Sequence, residues 1–230
     1  MLVTISPHDI YQNARNRKIG CLFCDPVKGM VIHETRNFRV LVDTFPITPG
    51  HLMISTQAHY GSAGEIPEEL MQELTELKEE VRYNVQSIGN SCIFYEHGRA
   101  GCCLSKPLED QKCEHFHLHC LPVELCIKDA VCNKFQVLKM ENYRQISPLF
   151  FEHGNYLYFE NARGEMFFFP AEDNKVESHL LRTLICNTIG IPNRSDWQTY
   201  NEEFIFIQSY DLVKSFNFSE QGRCLYDLSR

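Results

Sequence analysis

The sequence predicts an α+β fold in which an antiparallel sheet packs against one main helix, followed by a C-terminal α+β extension. Short apolar segments, rich in β-branched residues and bounded by Gly, Pro or Asp, precede a long amphipathic helix. Two more strand patterns follow that helix. After Pro122 the pattern changes again. These observations predict a first domain over residues 1–123 and an extension or second lobe over residues 124–230.

The predicted elements of the first domain follow one another closely. Three strands come first: Val31–His33, Phe38–Asp43 and Leu52–Ser55. Pro67 then begins a helix that ends before Gly89, as proline and glycine commonly do at helix ends. Its apolar residues recur at spacings of three and four: Leu70, Leu74, Leu77, Val81 and Val85. The strands Ser91–Tyr95 and His115–Leu121 follow, separated by a long connection that is typical of a binding loop.

The second half has fewer clear signals. Tyr156–Glu160 and Glu165–Phe169 predict a hairpin around Ala162-Arg163-Gly164. Val176–Thr188 is predicted as an amphipathic helix, and Glu203–Ser209 as a further strand. Both arrangements of this half remain open, namely a second lobe or an extension of the first sheet.

The composition is that of a globular protein, with 43% hydrophobic and 23% charged residues. A formal net charge of −8 argues against binding to extended nucleic acid, although a nucleotide needs only a few local donors. No apolar run approaches the ~20 residues that span a bilayer. Met1–Asn16 lacks a signal-peptide pattern, so the 11 cysteines fit a reducing compartment and we expect a cytoplasmic protein. A homodimer is the one oligomeric state that we consider.

Three histidines alternate along one predicted strand. His115, His117 and His119 share a face, spaced ~6.6 Å apart, because side chains alternate along a strand. The other face is apolar: Phe116, Leu118 and Cys120. Packing alone hardly explains three imidazoles on one face, so the pattern indicates a functional site. A metal-binding ribbon and a chance cluster are the alternatives.

The segment His115-Phe116-His117-Leu118-His119-Cys120-Leu121 matches the signature of the histidine triad (HIT) superfamily, which implies a HIT-like sheet. Cys21-Leu22-Phe23-Cys24 resembles the N-terminal Cys-x-x-Cys of zinc-containing members. Leu41-Val42-Asp43 and Pro49-Gly50-His51 resemble the family's nucleoside-binding strand and turn. The resemblance covers roughly the first half of the chain.

The resemblance implies that His117 is a nucleophile, which attacks the α-phosphorus of a nucleotide and forms a nucleotidyl-histidine. It also implies that a backbone carbonyl holds the other ring nitrogen, and that His119 contacts phosphate oxygens. The substrate is then a nucleoside phosphate ester, a phosphoramidate or a dinucleoside polyphosphate, which the enzyme hydrolyses. A transferase or phosphorylase with phosphate or a sugar phosphate as acceptor is the first alternative. A non-catalytic nucleotide-binding interaction protein is the second.

The sequence departs from the common family pattern just before the triad. The family's Gly-Gln-Ser phosphate-binding segment is absent, and Glu96-His97-Gly98 resembles a larger branch that has a C-terminal extension. Asp196-Trp197, after the predicted helix, resembles part of that extension. Ser105 and Lys106, in the charged connection, are candidates for the missing phosphate donors.

Three further residues are candidate nucleotide contacts, each with an alternative. His97 contacts a phosphate or ribose, or is an ordinary histidine at a strand end. Asp43 accepts from the ribose hydroxyls, or caps the turn at Thr44–Phe45. His51 binds the nucleotide, or belongs to the turn after Pro49-Gly50.

Cys21 and Cys24 form a C-x2-C pair, and a structural zinc ion needs two more nitrogen or sulfur ligands. The positions that match the family's remaining ligands are His59 and His115. The resemblance therefore implies a structural Cys2His2 zinc site. Two buried free thiols are the alternative. Substitute ligands near the triad are Cys102, Cys103 and Cys113.

Overall fold

An eight-stranded antiparallel sheet forms the centre of the protein in its computed structural model. The structure describes residues 5–16, 21–89, 91–101, 115–172, 176–197, 199–200 and 202–219. The strands are β1 (Val31–Glu34), β2 (Phe38–Val42), β3 (Leu52–Thr56), β4 (Ile93–Gly98), β5 (His117–Leu121), β6 (Leu138–Met140), β7 (Tyr156–Glu160) and β8 (Met166–Pro170). They lie in the order β1-β2-β3-β5-β4-β7-β8-β6.

Helices cover both faces of this sheet. They are α1 (Pro7–Arg15), α2 (Glu68–Ser87), α3 (Lys128–Cys132), α4 (Ile146–His153), α5 (Leu180–Thr188) and α6 (Glu203–Val213). The apolar residues of α1, α2 and α6 belong to one core cluster, whereas those of α3 and α5 belong to a second cluster. The predicted class, a mixed fold of helices and an antiparallel sheet, is confirmed.

The alternation of side chains along the strands divides the core in two. On β4, Phe94 packs with α2 while Ile93 and Tyr95 pack with α5. On β7, Tyr158 joins the first cluster and Leu157 the second. Phe116, Leu118 and Cys120 also lie in the first cluster, so the neighbouring histidines point to the α5 side.

The strands of the C-terminal half continue the sheet of the first half. β7 pairs with β4 over five residue pairs, and β8 and β6 follow beyond it. A side chain at Gly98 would collide with the ring of Tyr156, its partner on β7, so this close pairing requires glycine. The division of the chain at residue 123 stays a prediction.

The predicted strand at Glu203–Ser209 is wrong, because this segment lies in helix α6. The aromatic and β-branched residues at its start suggested a strand. However, its buried residues follow the helical spacing of one, three and four: Ile205, Phe206, Ser209, Tyr210 and Val213. Burial of this face against α1 and β2 outweighs the local strand preference.

Several predicted boundaries shift by a few residues. The triad strand begins at His117 rather than His115, and β4 continues past Tyr95 to Gly98 because it pairs with β7. The predicted helix over residues 176–188 begins only at Leu180. Four further elements were not predicted from the sequence, namely α1, α3, α4 and β6. Within the described ranges, no helix is both long enough and apolar enough to cross a membrane.

Candidate active site

His117 is oriented by the backbone of its own strand. Its Nδ1 lies 2.8 Å from the carbonyl oxygen of His115, and a carbonyl can only accept. The proton therefore resides on Nδ1, and the lone pair of the neutral ring is on Nε2. Phe23 stacks on this ring at 4.7 Å with an angle of 15° between the planes. The imidazole is thus fixed both in tautomer and in orientation.

His51 and His119 form a short hydrogen-bonded chain beside it. The backbone N–H of Ile47 donates to His51 Nδ1 at 3.1 Å, so the proton of His51 is on Nε2. That Nε2–H lies 3.0 Å from His119 Nδ1, closer than the 3.4 Å that separates it from Asp43 Oδ2, so His119 Nδ1 accepts. His119 consequently carries its proton on Nε2. Burial lowers the pKa of His51 to about 4 and that of His119 to about 3, so both rings are neutral donors near pH 7.

Asp43 completes this arrangement at the end of β2. Its Oδ1 accepts from the N–H of Phe45 at 2.6 Å, and its Oδ2 lies 3.4 Å from His51 Nε2 and 3.5 Å from His119 Nδ1. Burial alone would raise the pKa of Asp43, but His51, His119 and the Arg182 guanidinium hold it well below its usual range. The turn role considered from the sequence is therefore present, and the carboxylate also lies against both histidines.

The same three groups converge closely enough to be considered as a metal site. The tautomer of His51 argues against this, because its Nε2 proton points into the triangle that an ion would occupy. A hydrogen-bonded chain fits Asp43, His51 and His119 better than a metal ion does.

His97 lies farther along β4 and faces α5. Its Nε2 accepts from the backbone N–H of Leu181 at 3.2 Å, so its proton is on Nδ1. Burial lowers the pKa of His97 to about 3, together with the neighbouring His179, His119 and His117. His97 is therefore a neutral ring that connects β4 to the first turn of α5.

Glu96 points to the opposite face of β4. Its carboxylate accepts from the N–H of Ala63 at 2.9 Å and from the hydroxyl of Tyr156 at 3.0 Å. Burial raises the pKa of Glu96 to about 7 despite these hydrogen bonds. In Glu96-His97-Gly98, the glutamate and the glycine thus serve packing against Tyr156, while the histidine faces the site.

Four cysteine and histidine side chains meet beside the triad strand. The ligand atoms of Cys21, Cys24, His59 and His115 all lie within 4.8 Å of one another. Cys24 Sγ is 3.0 Å from His59 Nδ1 and 3.4 Å from His115 Nδ1. This is the donor set of a tetrahedral Cys2His2 site.

The protonation of this cluster also suits a metal ion. His115 Nε2 donates to the carbonyl oxygen of Thr56 at 2.8 Å, so the lone pair on Nδ1 faces the two sulfur atoms. Burial would raise the pKa of Cys21, but the neighbouring His115 and the backbone N–H groups of Cys24 and Phe23 together lower it to about 6. One thiolate is therefore available near neutral pH. The residues fit a thiophilic divalent cation.

The cluster and the nucleophile are joined by two residues. His115 offers its ring to the cysteines and its carbonyl to His117. Phe23 lies between Cys21 and Cys24 in the chain and stacks on the His117 ring. The positions of the cluster residues therefore determine the orientation of the His117 ring.

The turn that follows β2 is held by arginines of the C-terminal half. Arg182 Nη2 donates to the carbonyl oxygen of Phe45 at 2.8 Å, and Arg194 Nη1 donates to that of Ile47 at 2.6 Å. The two arginines are linked, since Arg182 Nε donates to the Arg194 carbonyl at 2.9 Å. This turn positions Asp43 and the N–H that selects the tautomer of His51.

The structure places most of the predicted site residues in two adjoining groups. The group of candidate catalytic and nucleotide-binding residues contains Asp43, His51, His97, His117 and His119. The candidate metal group contains Cys21, Cys24, His59 and His115. Ser105 and Lys106 lie outside the described residues, as do Cys102, Cys103 and Cys113.

Comparison with known families bears on residues 12–136. They match the family described as "Protein similar to CwfJ C-terminal". The matched segment covers more than half of the 230 residues. The chain belongs to this family. The match includes every predicted metal ligand and all three histidines of the triad.

Individual relatives extend this picture. The CWF19-like protein 1 of Homo sapiens and that of Pongo abelii are each 23% identical over 194 residues, which is 77% of this chain. The chain spans only about a third of their length, 34% in each case. An uncharacterised HIT-like protein of Saccharolobus solfataricus is 33% identical over 55 residues, 22% of this chain and 40% of that protein.

Among solved structures, a hypothetical histidine triad nucleotide-binding protein from Sulfolobus tokodaii strain 7 is 19% identical. The likeness covers 45% of this chain and 68% of that chain, with a TM-score of 0.32. The HIT-like names among the sequence relatives agree with the resemblance that the triad motif carries.

Sequence reasoning missed the residues that orient the histidines. Thr56 and Ile47 act through backbone groups, which carry no side-chain signal. Phe23 lies inside the C-x2-C motif, and its position there was the one available clue. Arg194, which contacts the turn after β2, and His179, which lies near His117, come from a distant part of the chain, so no local pattern could connect them to the site.

Proposed function

We propose that this member of the CwfJ C-terminal-like family is a nucleotidyl hydrolase that acts through a nucleotidyl-histidine intermediate on His117. The observation that carries the proposal is the hydrogen bond from His117 Nδ1 to the His115 carbonyl, at 2.8 Å. It gives Nε2 the lone pair that a nucleophile needs. The similarity to HIT-like proteins supports the same chemistry.

The reaction has two balanced steps. His117 Nε2 attacks the α-phosphorus, a N–P bond forms, and the bond from phosphorus to the leaving group breaks. The leaving group departs with the electron pair and is protonated by solvent. Water then attacks the same phosphorus, the N–P bond breaks, and the electron pair returns to Nε2 while the water proton passes to solvent. The products are a nucleoside monophosphate and the protonated leaving group.

Neutral hydrogen-bond donors beside His117 favour a phosphate group there. In His119 and His97 one ring nitrogen accepts a hydrogen bond from the protein, so the other carries the proton. The donors are therefore His119 Nε2–H and His97 Nδ1–H. Ser55 pairs with His117 across β3 and β5, and its buried hydroxyl has no hydrogen-bond partner among the described residues. Such preorganised donors stabilise charge on the phosphorus centre in a site of low dielectric.

The experiment that tests the function is turnover of a panel of substrates by the whole chain. The panel contains a nucleoside phosphoramidate, a dinucleoside polyphosphate and a nucleoside phosphate ester, each in an adenine and a guanine form. We expect nucleoside monophosphate to accumulate from at least one of them in water. A nucleoside diphosphate formed in added phosphate would instead assign a phosphorylase. Absence of turnover across the panel, in the presence of zinc, contradicts the proposal.

We also propose that Cys21, Cys24, His59 and His115 hold a structural zinc ion. The carrying observation is the convergence of two sulfur and two imidazole donors within 4.8 Å. Bound zinc would neutralise the thiolate and tie the N-terminal segment to the triad strand. The ion takes no part in the reaction steps.

Removal of one ligand tests the zinc site. We expect about one zinc ion per purified chain, and less than half of that in Cys21→Ser, with a lower unfolding temperature, because three ligands hold the ion poorly. Cys126→Ser is the matched control, since Cys126 is an exposed cysteine outside the cluster. Elemental analysis and thermal unfolding provide the measurements. A Cys21→Ser protein with full zinc, or one of unchanged stability, would contradict the site.

A further inference from the structure

His179 has an unusual backbone conformation at the start of α5. Its φ is +56°, and it is one of two non-glycine residues with positive φ among those described. L-residues seldom adopt this conformation, and it persists where the surroundings impose it, often at functional sites. The conformation places His179 directly before the helix turn that contacts His97.

Trp197 determines which nitrogen of His179 carries the proton. The indole Nε1–H donates to His179 Nε2 at 2.9 Å, and the two rings meet edge to face. The proton of the neutral His179 ring is therefore on Nδ1. That nitrogen has no hydrogen-bond partner among the described residues. Trp197 also packs on Phe45 at 4.9 Å, beside Asp43.

Helix α5 packs on the face of the sheet that carries the triad, and His179 directly precedes its first turn. The Leu181 N–H binds His97, and His97 follows Tyr95, which pairs with His119 and stacks on its ring at 4.4 Å. Burial, Arg182 and His117 lower the pKa of His179 to about 4, although Asp196 opposes them. His179 is thus a neutral donor among other neutral donors at physiological pH.

We propose that His179, held by Trp197, is a phosphate-contacting residue that the C-terminal half adds to the site of His117. Its Nδ1–H donates to a non-bridging oxygen of the nucleotide phosphate, alongside the N–H groups of His97 and His119. The inference rests on the proposed function and deepens it, because it makes the C-terminal half part of the substrate site. No proton is transferred, since the ring donates a hydrogen bond and stays neutral.

Paired ligands that differ only in the phosphate group separate this role from a structural one. Calorimetry compares AMP with adenosine, and GMP with guanosine, on the whole zinc-loaded chain. His179→Gly tolerates the positive φ but removes the imidazole. We expect it to weaken binding of the tighter nucleotide by about 10-fold, the usual effect of losing a hydrogen bond to a charged group, and to leave nucleoside binding unchanged. His179→Asn, which also tolerates the conformation and retains an N–H donor, should recover part of the loss.

Trp197→Phe and His153→Ala complete the design. Trp197→Phe removes the Nε1 donor and should weaken binding of the nucleotide by a smaller factor. His153, at the end of α4, lies away from the triad, so His153→Ala should leave binding unchanged. If His179→Gly weakens binding of the nucleotide and the nucleoside equally, or weakens neither, the role of His179 is overturned while the proposed function stands. Failure of the unsubstituted chain to bind either nucleotide contradicts the proposed function as well.

Discussion

Replacement of His117 by Asn abolishes turnover while the fold is retained. The Asn side chain can still donate to the His115 carbonyl, so the strand keeps its hydrogen bond. It offers no nitrogen lone pair to phosphorus, and loss of a nucleophile costs on the order of 10^4-fold or more in kcat. The measurement is steady-state turnover of the best substrate of the panel, with thermal unfolding to confirm that the variant is folded.

His153→Asn is the matched control for this substitution. His153 is a histidine at the end of α4, and the change is chemically identical. We expect the control to change the free energy of unfolding by less than about 0.5 kcal/mol, as is usual at the surface, and to retain the turnover of the unsubstituted protein. A folded His117→Asn protein that retains more than a tenth of the turnover would show that another group attacks the phosphorus.

Replacement of Glu160 by Ala strongly destabilises the protein. Glu160 is 2% exposed and accepts from the ammonium of Lys78, the guanidinium of Arg82 and the Tyr158 hydroxyl. Lys78 is also 2% exposed, and its ammonium lies over the rings of Phe94 and Tyr143. Without the carboxylate, the buried Lys78 keeps only the exposed Glu79 at 3.9 Å and loses its nearest partner, which costs about 3–5 kcal/mol of the free energy of unfolding.

Two variants make this prediction specific. Glu152→Ala removes an exposed carboxylate and should change the free energy of unfolding by less than about 0.5 kcal/mol. Combining Glu160→Leu with Lys78→Met removes both buried charges, so it should cost less than Glu160→Ala alone. Urea unfolding at pH 7 provides all three values. A loss below about 1 kcal/mol in Glu160→Ala would mean that water reaches Lys78 freely.

Local patterns were sufficient to predict much of the sheet, whereas the members of the two groups of candidate site residues came from the resemblance to the HIT superfamily. The period-two alternation around His117 predicted which side chains face the core, and Phe116 and Leu118 do lie there. The helical spacing from Leu74 to Val85 predicted α2. Such patterns succeed because burial of one face determines the period of the apolar residues.

Interactions between segments that are distant in the sequence could not be predicted from local patterns. The strand predicted at Glu203–Ser209 fails because α6 buries its apolar stripe against α1, almost 200 residues earlier. The tautomer of each histidine depends on a partner elsewhere, such as Leu181 for His97. The arginine contacts to the turn after β2 likewise join segments that share no sequence pattern. These features depend on tertiary packing and not on local sequence.

The most direct test of the nucleotidyl-histidine mechanism is detection of the intermediate itself. The whole zinc-loaded chain is mixed with excess substrate for a fraction of one turnover, quenched in base and examined by intact-protein and peptide mass spectrometry. A phosphoramidate is stable in base and labile in acid. The account predicts a single nucleotidyl group on the peptide that contains His117, lost on brief acid treatment and absent from His117→Asn. Turnover at the full rate with no such adduct, or an adduct on another residue, would contradict it.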